Sequence, residues 1–142
     1  MLVHRRLLLL PLAGLLASAP PAAAQAPVPV DSLALARQYT GWLYAGQADS
    51  LLAHLSDQSK GGEFGRLDFW TRHGDMIAER AGMEFEVLDE SWKLRNGRWQ
   101  YWRTARFSSM DEPLLVRWVL DATGHIDGLG LGPLSQAPPT DN

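Results

Sequence analysis

The chain has 142 residues, 46% of them hydrophobic and 20% charged, with 13 Gly, 9 Pro and a net charge of −3. That profile belongs to one globular domain; it excludes disordered and collagen-like chains and gives no compositional support for nucleic-acid binding. With no cysteine, thiolate metal sites, CxxC redox chemistry, cysteine nucleophiles and disulfide staples are excluded, so packing has to carry the stability.

Residues 1–6 carry His4, Arg5 and Arg6, residues 7–16 are apolar apart from Pro11 and Gly14, and Ala22, Ala23 and Ala24 precede Gln25. This is the three-part layout of a secretory signal peptide, cut after Ala24. The apolar run ends by Ala19, short of the roughly 20 residues that span a bilayer. The mature protein is therefore expected in the bacterial periplasm or medium, with no stable membrane insertion. Residues 25–30, with Pro27 and Pro29, are expected to form a tether, residues 31–134 one domain, and residues 135–142, with Pro138 and Pro139, a disordered tail.

Asp31 can cap a first helix, in which Leu35, Ala36, Tyr39, Trp42 and Leu43 recur at three- and four-residue intervals and which ends before Gly46. A short second helix follows, capped by Asp49 and carrying Leu51, Leu52 and Leu55. After the break at Lys60, Gly61 and Gly62, one face of a third helix is marked by Leu67, Trp70, Gly74, Ile77 and Ala81, and Gly82 supplies its stop.

From Met83 the hydrophobic period becomes two, with turn signals at Asn96-Gly97, at residues 110–113 and at Ala122-Thr123-Gly124, which predicts a four-stranded meander. A two-residue type I′ turn at Asn96-Gly97 sets Arg95 opposite Arg98, Trp92 opposite Tyr101, Glu90 opposite Arg103 and Leu88 opposite Ala105. A turn centred between Met110 and Asp111 would set Phe107 opposite Leu114, Arg103 opposite Trp118 and Tyr101 opposite Leu120. One face then carries Trp92, Tyr101, Ala105, Phe107, Val116 and Trp118, interrupted by Glu90 and Arg103; the other is mixed. The expected fold class is α+β, three N-terminal helices on one face of a curved antiparallel meander, shaped as a cone with a central cavity.

The helix running into residues 42–49, the helix stop at Ala81-Gly82 and the last hairpin over residues 119–129 resemble the nuclear transport factor 2-like, or cystatin-like, superfamily. More narrowly, the chain resembles small secreted bacterial domains of unknown function found alone or fused ahead of serine hydrolases. The resemblance implies a cavity between helices and sheet and a homodimer through the open sheet face. Fold alone does not imply an activity.

Glu90 opposite Arg103 on an otherwise apolar face is the sharpest chemical signal. The pair is either the charged floor of a pocket walled by Tyr101, Trp92 and Trp118, with Tyr39 and Trp42 on the first helix, or a structural salt bridge. His73 on the third helix is a second acid–base candidate; His54 and His125 read as surface residues. No HxH, HExxH or acidic calcium loop occurs, so no metal or other cofactor is expected, and no GxSxG elbow supports a serine nucleophile. Trp102, Arg106 and Arg117 on the mixed face combine an aromatic with charges, as an interface does. Two function classes stand: a non-catalytic pocket domain that binds a small apolar or anionic ligand or serves a partner protein, and a lyase, isomerase or hydrolase. In the second, Glu90 or His73 moves a proton while Arg103 or Tyr101 stabilises developing negative charge.

Overall fold

The apolar spacing of the first half folds as helix. In the computed structural model, which describes residues 31–141, helix α1 (Ser32–Tyr44) buries Ala36, Tyr39, Thr40 and Leu43 along one stripe. Asp31 precedes it in a left-handed conformation (φ 66°) and its side chain makes no capping bond. Helix α2 (Ala48–Leu52) starts one residue before Asp49, which sits in its first turn. Two 3₁₀ turns, Ser59–Gly61 and Glu63–Gly65, lead to α3 (Leu67–Met76), and a π turn continues it over Ile77–Ala81. The helix stops at Gly82, whose φ of +82° favours glycine. Gly74 marks the crossing of α1 and α3, since a Cβ there would lie 3.0 Å from the Leu43 carbonyl oxygen.

The second half is a four-stranded antiparallel sheet in the order β1 (Glu84–Arg95), β2 (Arg98–Phe107), β3 (Leu114–Leu120), β4 (Ile126–Pro133). The architecture is therefore α+β. Its helices are not all N-terminal: a 3₁₀ turn over Leu134–Gln136 follows β4, where Pro133 ends the strand. The signal peptide and the tether expected over residues 1–30 lie outside the described residues. Among those described, no helix is long and apolar enough to cross a membrane.

Asn96 and Gly97 both have positive φ, 53° and 71°, as a type I′ turn requires. The register follows from it: Trp92 pairs with Tyr101 and Glu90 with Arg103. Beyond Asp89 the pairing slips, so Val87 rather than Leu88 faces Ala105. The bulge turns Leu88 outward, where it is 41% exposed. Between β2 and β3 the register differs from expectation by two residues: Tyr101 faces Trp118, Arg103 faces Val116 and Ala105 faces Leu114. Phe107 is drawn instead to Glu84 of β1, and the connecting loop is held by Ser108 N–H to Met83 O and Ser109 N–H to Ala81 O, each 2.9 Å. A two-residue shift preserves which face each side chain occupies.

Tyr101, Ala105, Phe107, Val116 and Trp118 consequently meet the helices in one core with Ala36, Tyr39, Leu43, Trp70 and Ile77. Trp118 stacks on Trp70 at 6.0 Å between ring centres and donates from Nε1 to Thr40 Oγ1 at 2.9 Å. The opposite, outer face also buries side chains, namely Gln100, Trp102, Thr104 and Leu115. Across it returns the C-terminal segment. Leu134 N–H donates to Pro113 O at one end of the sheet, and Asp141 meets the Asn96-Gly97 turn at the other. The helices fill the inner face and leave the segment the outer one. The expectation of a disordered tail from Ser135 overlooked this anchor, which two backbone N–H groups and one carboxylate create only when the hairpin has formed.

Candidate functional site

The Glu90–Arg103 pair sits on the helix-facing side of β1 and β2 and is part of a larger cluster. Arg103 reaches two carboxylates: Nη1 donates to Glu90 Oε1 at 2.8 Å, Nε donates to Glu84 Oε2 at 3.0 Å, and Nη2 pairs with Glu84 Oε1. Arg37 of α1 holds the other side of Glu90, Nε to Oε1 at 3.0 Å and Nη2 to Oε2 at 2.7 Å. The Tyr101 hydroxyl donates to Glu90, and the Tyr44 hydroxyl donates to Glu84 at 2.9 Å. Two arginines thus balance two glutamates, whose side chains are only 15% and 17% exposed.

This arrangement fixes the protonation states. The Arg37 hydrogen bonds, with those of Tyr101 and the charge of Arg103, hold the Glu90 carboxyl down at about 2 against the opposing effect of burial. Burial, then the hydrogen bond to Glu90, pushes Tyr101 up to about 12. The hydrogen bonds to Glu84 keep Arg103 firmly charged. At neutral pH Glu90 and Arg103 are therefore charged and the Tyr101 and Tyr44 phenols neutral.

Of the expected pocket walls, Tyr101 and Trp118 are fully buried core residues, and Trp92 lies half-buried with its ring 5.9 Å from that of Tyr101. Tyr39 is in the core too, donating to the Gly124 carbonyl at 2.7 Å, while Trp42 is half-buried against His54 at 4.8 Å. His54, expected at the surface, is instead half-buried against the rings of Tyr39 and Trp42, with Nδ1–H bonded to Ser50 O. His73 Nδ1–H donates to Phe69 O at 2.7 Å and its ring stacks on Phe69 at 4.0 Å. That places His73 beside a hollow of about 750 Å³ between α3 and β4, away from the Glu90 cluster. The two acid–base candidates are not brought together.

A second hollow, about 310 Å³, adjoins the first and shares Met76 and Arg80 with it. Met76, Ile77, Ala81, Met110, Leu114 and Leu131 make it apolar, and Arg80 is its one charged lining residue. No local pattern in the sequence marks it: Met76 ends α3, Arg80 lies in the π turn, Met110 in a loop and Leu131 on the last strand. Among the described residues, no group of three or more metal-ligating side chains comes together.

On the outer face, Trp102 was expected as an exposed interface residue but is 5% exposed in the single chain. Lys93 Nζ lies 5.3 Å and Arg117 Cζ 5.6 Å from its ring centre. Arg106 stays exposed and pairs with Glu86 at 3.3 Å; Arg117 is half-buried and donates to Gln100 Oε1 at 3.2 Å. Apolar exposure is concentrated elsewhere, at Met83, Phe85, Val87 and Leu88 along β1, the first two 77% and 66% exposed. No family model, curated protein or solved structure matches this chain.

Proposed function

We propose that this protein is an exported, non-catalytic binding domain whose ligand is a small apolar anion, taken up between α3 and the end of the β3–β4 hairpin. The observation that carries this is the 310 Å³ hollow, apolar except for Arg80. Its size is that of a small-molecule site, and the two methionines are adaptable lining. The guanidinium supplies the charge-assisted hydrogen bond that would orient a carboxylate or sulfonate head. Acid–base catalysis at Glu90 is disfavoured, because a carboxyl held at about 2 is weakly basic at neutral pH. Export rests on the layout of residues 1–24, and the α+β class fits the nuclear transport factor 2-like resemblance.

The test is displacement of the fluorescent aromatic sulfonate 1-anilinonaphthalene-8-sulfonate by decanoate. Arg80→Met should weaken decanoate about tenfold, or ~1.4 kcal/mol, and leave decanol unchanged; equal loss of both, or of neither, overturns the assignment. We place the homodimer contact on the exposed β1 side chains rather than at Trp102. Phe85→Glu should then convert a dimer to monomer in sedimentation velocity, and a monomeric parent chain would reject the dimer.

A further inference from the structure

The outer face of the sheet gathers basic side chains, and three of them form no ion pair among the described residues. Trp102 and Arg117 are cross-strand partners, with Gly130 of β4 next in the row, and Lys93 pairs with Gln100 in the adjacent row. Among the described residues, Lys93, Arg95 and Arg117 form no ion pair, whereas Arg106 on the same face pairs with Glu86. The carboxylates of Asp89 and Asp141 hydrogen-bond to neutral donors rather than to these cations: Asp89 accepts from Ser91 Oγ at 2.9 Å, and Asp141 accepts from the N–H groups of Asn96 and Gly97. The crossing segment between Ala137 and Thr140 brings no acid.

Two donors on this face are buried without an acceptor, Trp102 Nε1 and Arg95 Nε. Leaving such donors unpaired is costly, and a buried cation without a counter-charge more so. The Arg117 guanidinium lies against Gly130, in the space a Cβ would fill, so a larger residue there would displace it. Burial, followed by the charge of Arg95, lowers the pKa of Arg117; an anion would relieve both effects.

We propose that Lys93, Arg95, Trp102 and Arg117 form a binding site for a doubly charged oxyanion, either a phosphate group or a dicarboxylate. Two guanidiniums and an ammonium supply the charge, and the indole and Arg95 N–H groups supply directed donors. The site lies on the opposite face of the sheet from the hollow at Arg80 and does not depend on it.

The experiment is a titration of the ¹⁵N-labelled protein at constant ionic strength, with inorganic phosphate in one arm and succinate in the other. The indole N–H of Trp102, assigned with Trp102→Phe, is followed. A saturable shift is expected in at least one arm, and the arm that saturates at lower concentration identifies the oxyanion. Affinity should fall at least tenfold in Arg117→Met and stay unchanged in Arg80→Met. Gly130→Ala keeps every charge and displaces only the guanidinium, so it should weaken binding as well and serves if Arg117→Met does not fold. An indole signal that neither anion moves, a shift that never saturates, or affinity unchanged from the parent chain in both the arginine and the glycine variant would overturn the site.

Discussion

Arg103 and Arg117 stand on neighbouring strands in adjacent rows of one sheet, pointing to opposite faces, and they live in opposite electrostatic settings. Arg103 is enclosed by Glu84 and Glu90, with Arg37 completing the balance. Arg117 has an amide oxygen, an indole face and a glycine. Burial alone therefore says little about what a buried arginine does: where carboxylates surround it, the group is fixed architecture, and where none does, its charge is available. The comparison also explains why the pair most visible in the sequence is the less promising place for a ligand, since both edges of the Arg103 guanidinium are already occupied.

The comparison is broken most directly at Arg103. Arg103→Ala leaves two poorly solvated carboxylates facing each other and should cost about 3–5 kcal/mol in urea denaturation. Combining Arg103→Met with Glu84→Gln and Glu90→Gln should recover most of that loss, because the one charge left without its partner, Arg37, is exposed to solvent. A cost under about 1 kcal/mol for the alanine variant would mean that the cluster is solvated.

Acid sharpens the same contrast. The folded Glu90 carboxyl sits at about 2, below the roughly 4.3 of an unfolded glutamate. Its stabilising contribution is thus complete above the unfolded value and is lost as pH falls from about 4.3 toward 2. Denaturation midpoints measured across that window should fall in the parent chain and vary less in Glu90→Gln; parallel curves would remove the assigned pairing.

Smaller effects belong to the outer face. Asp141→Ala removes two hydrogen bonds to the β1–β2 turn and should cost about 1 kcal/mol, with faster amide exchange at Asn96 and Gly97. Arg117→Met should change stability least, from no effect to about 1 kcal/mol of gain, because it deletes an uncompensated charge and keeps the apolar stem. A loss as large as that of Arg103→Ala would show that Arg117 is held by a partner of its own.

The hairpin register through Glu90 and Arg103 was legible because a two-residue Asn-Gly turn sets its pairing locally, with the two residues 13 positions apart in the chain. The bulge at Leu88 and the two-residue offset before Leu114 were not, since both answer to distant contacts: the Phe107–Glu84 pairing and the loop bonds to Ala81 and Met83. For the candidate site, the sequence exposed one carboxylate and one guanidinium on an apolar face. It did not expose Arg37, which comes from another element 53 residues away, or Glu84, which reaches the cluster beyond the bulge. The Arg80 hollow draws on the α3 helix and its π turn, a loop and two strands, and left no periodic trace.

The sequence by itself determined the α+β class, the strand count and the sides of the sheet, because periodicity and turn chemistry act over a few residues. Only the tertiary structure decided which charges are neutralised and which are left open. Neutralisation depends on side chains arriving within about 4 Å from separate elements, and that proximity exists only once α1, the bulged β1 and the returning C-terminal segment have closed around the sheet.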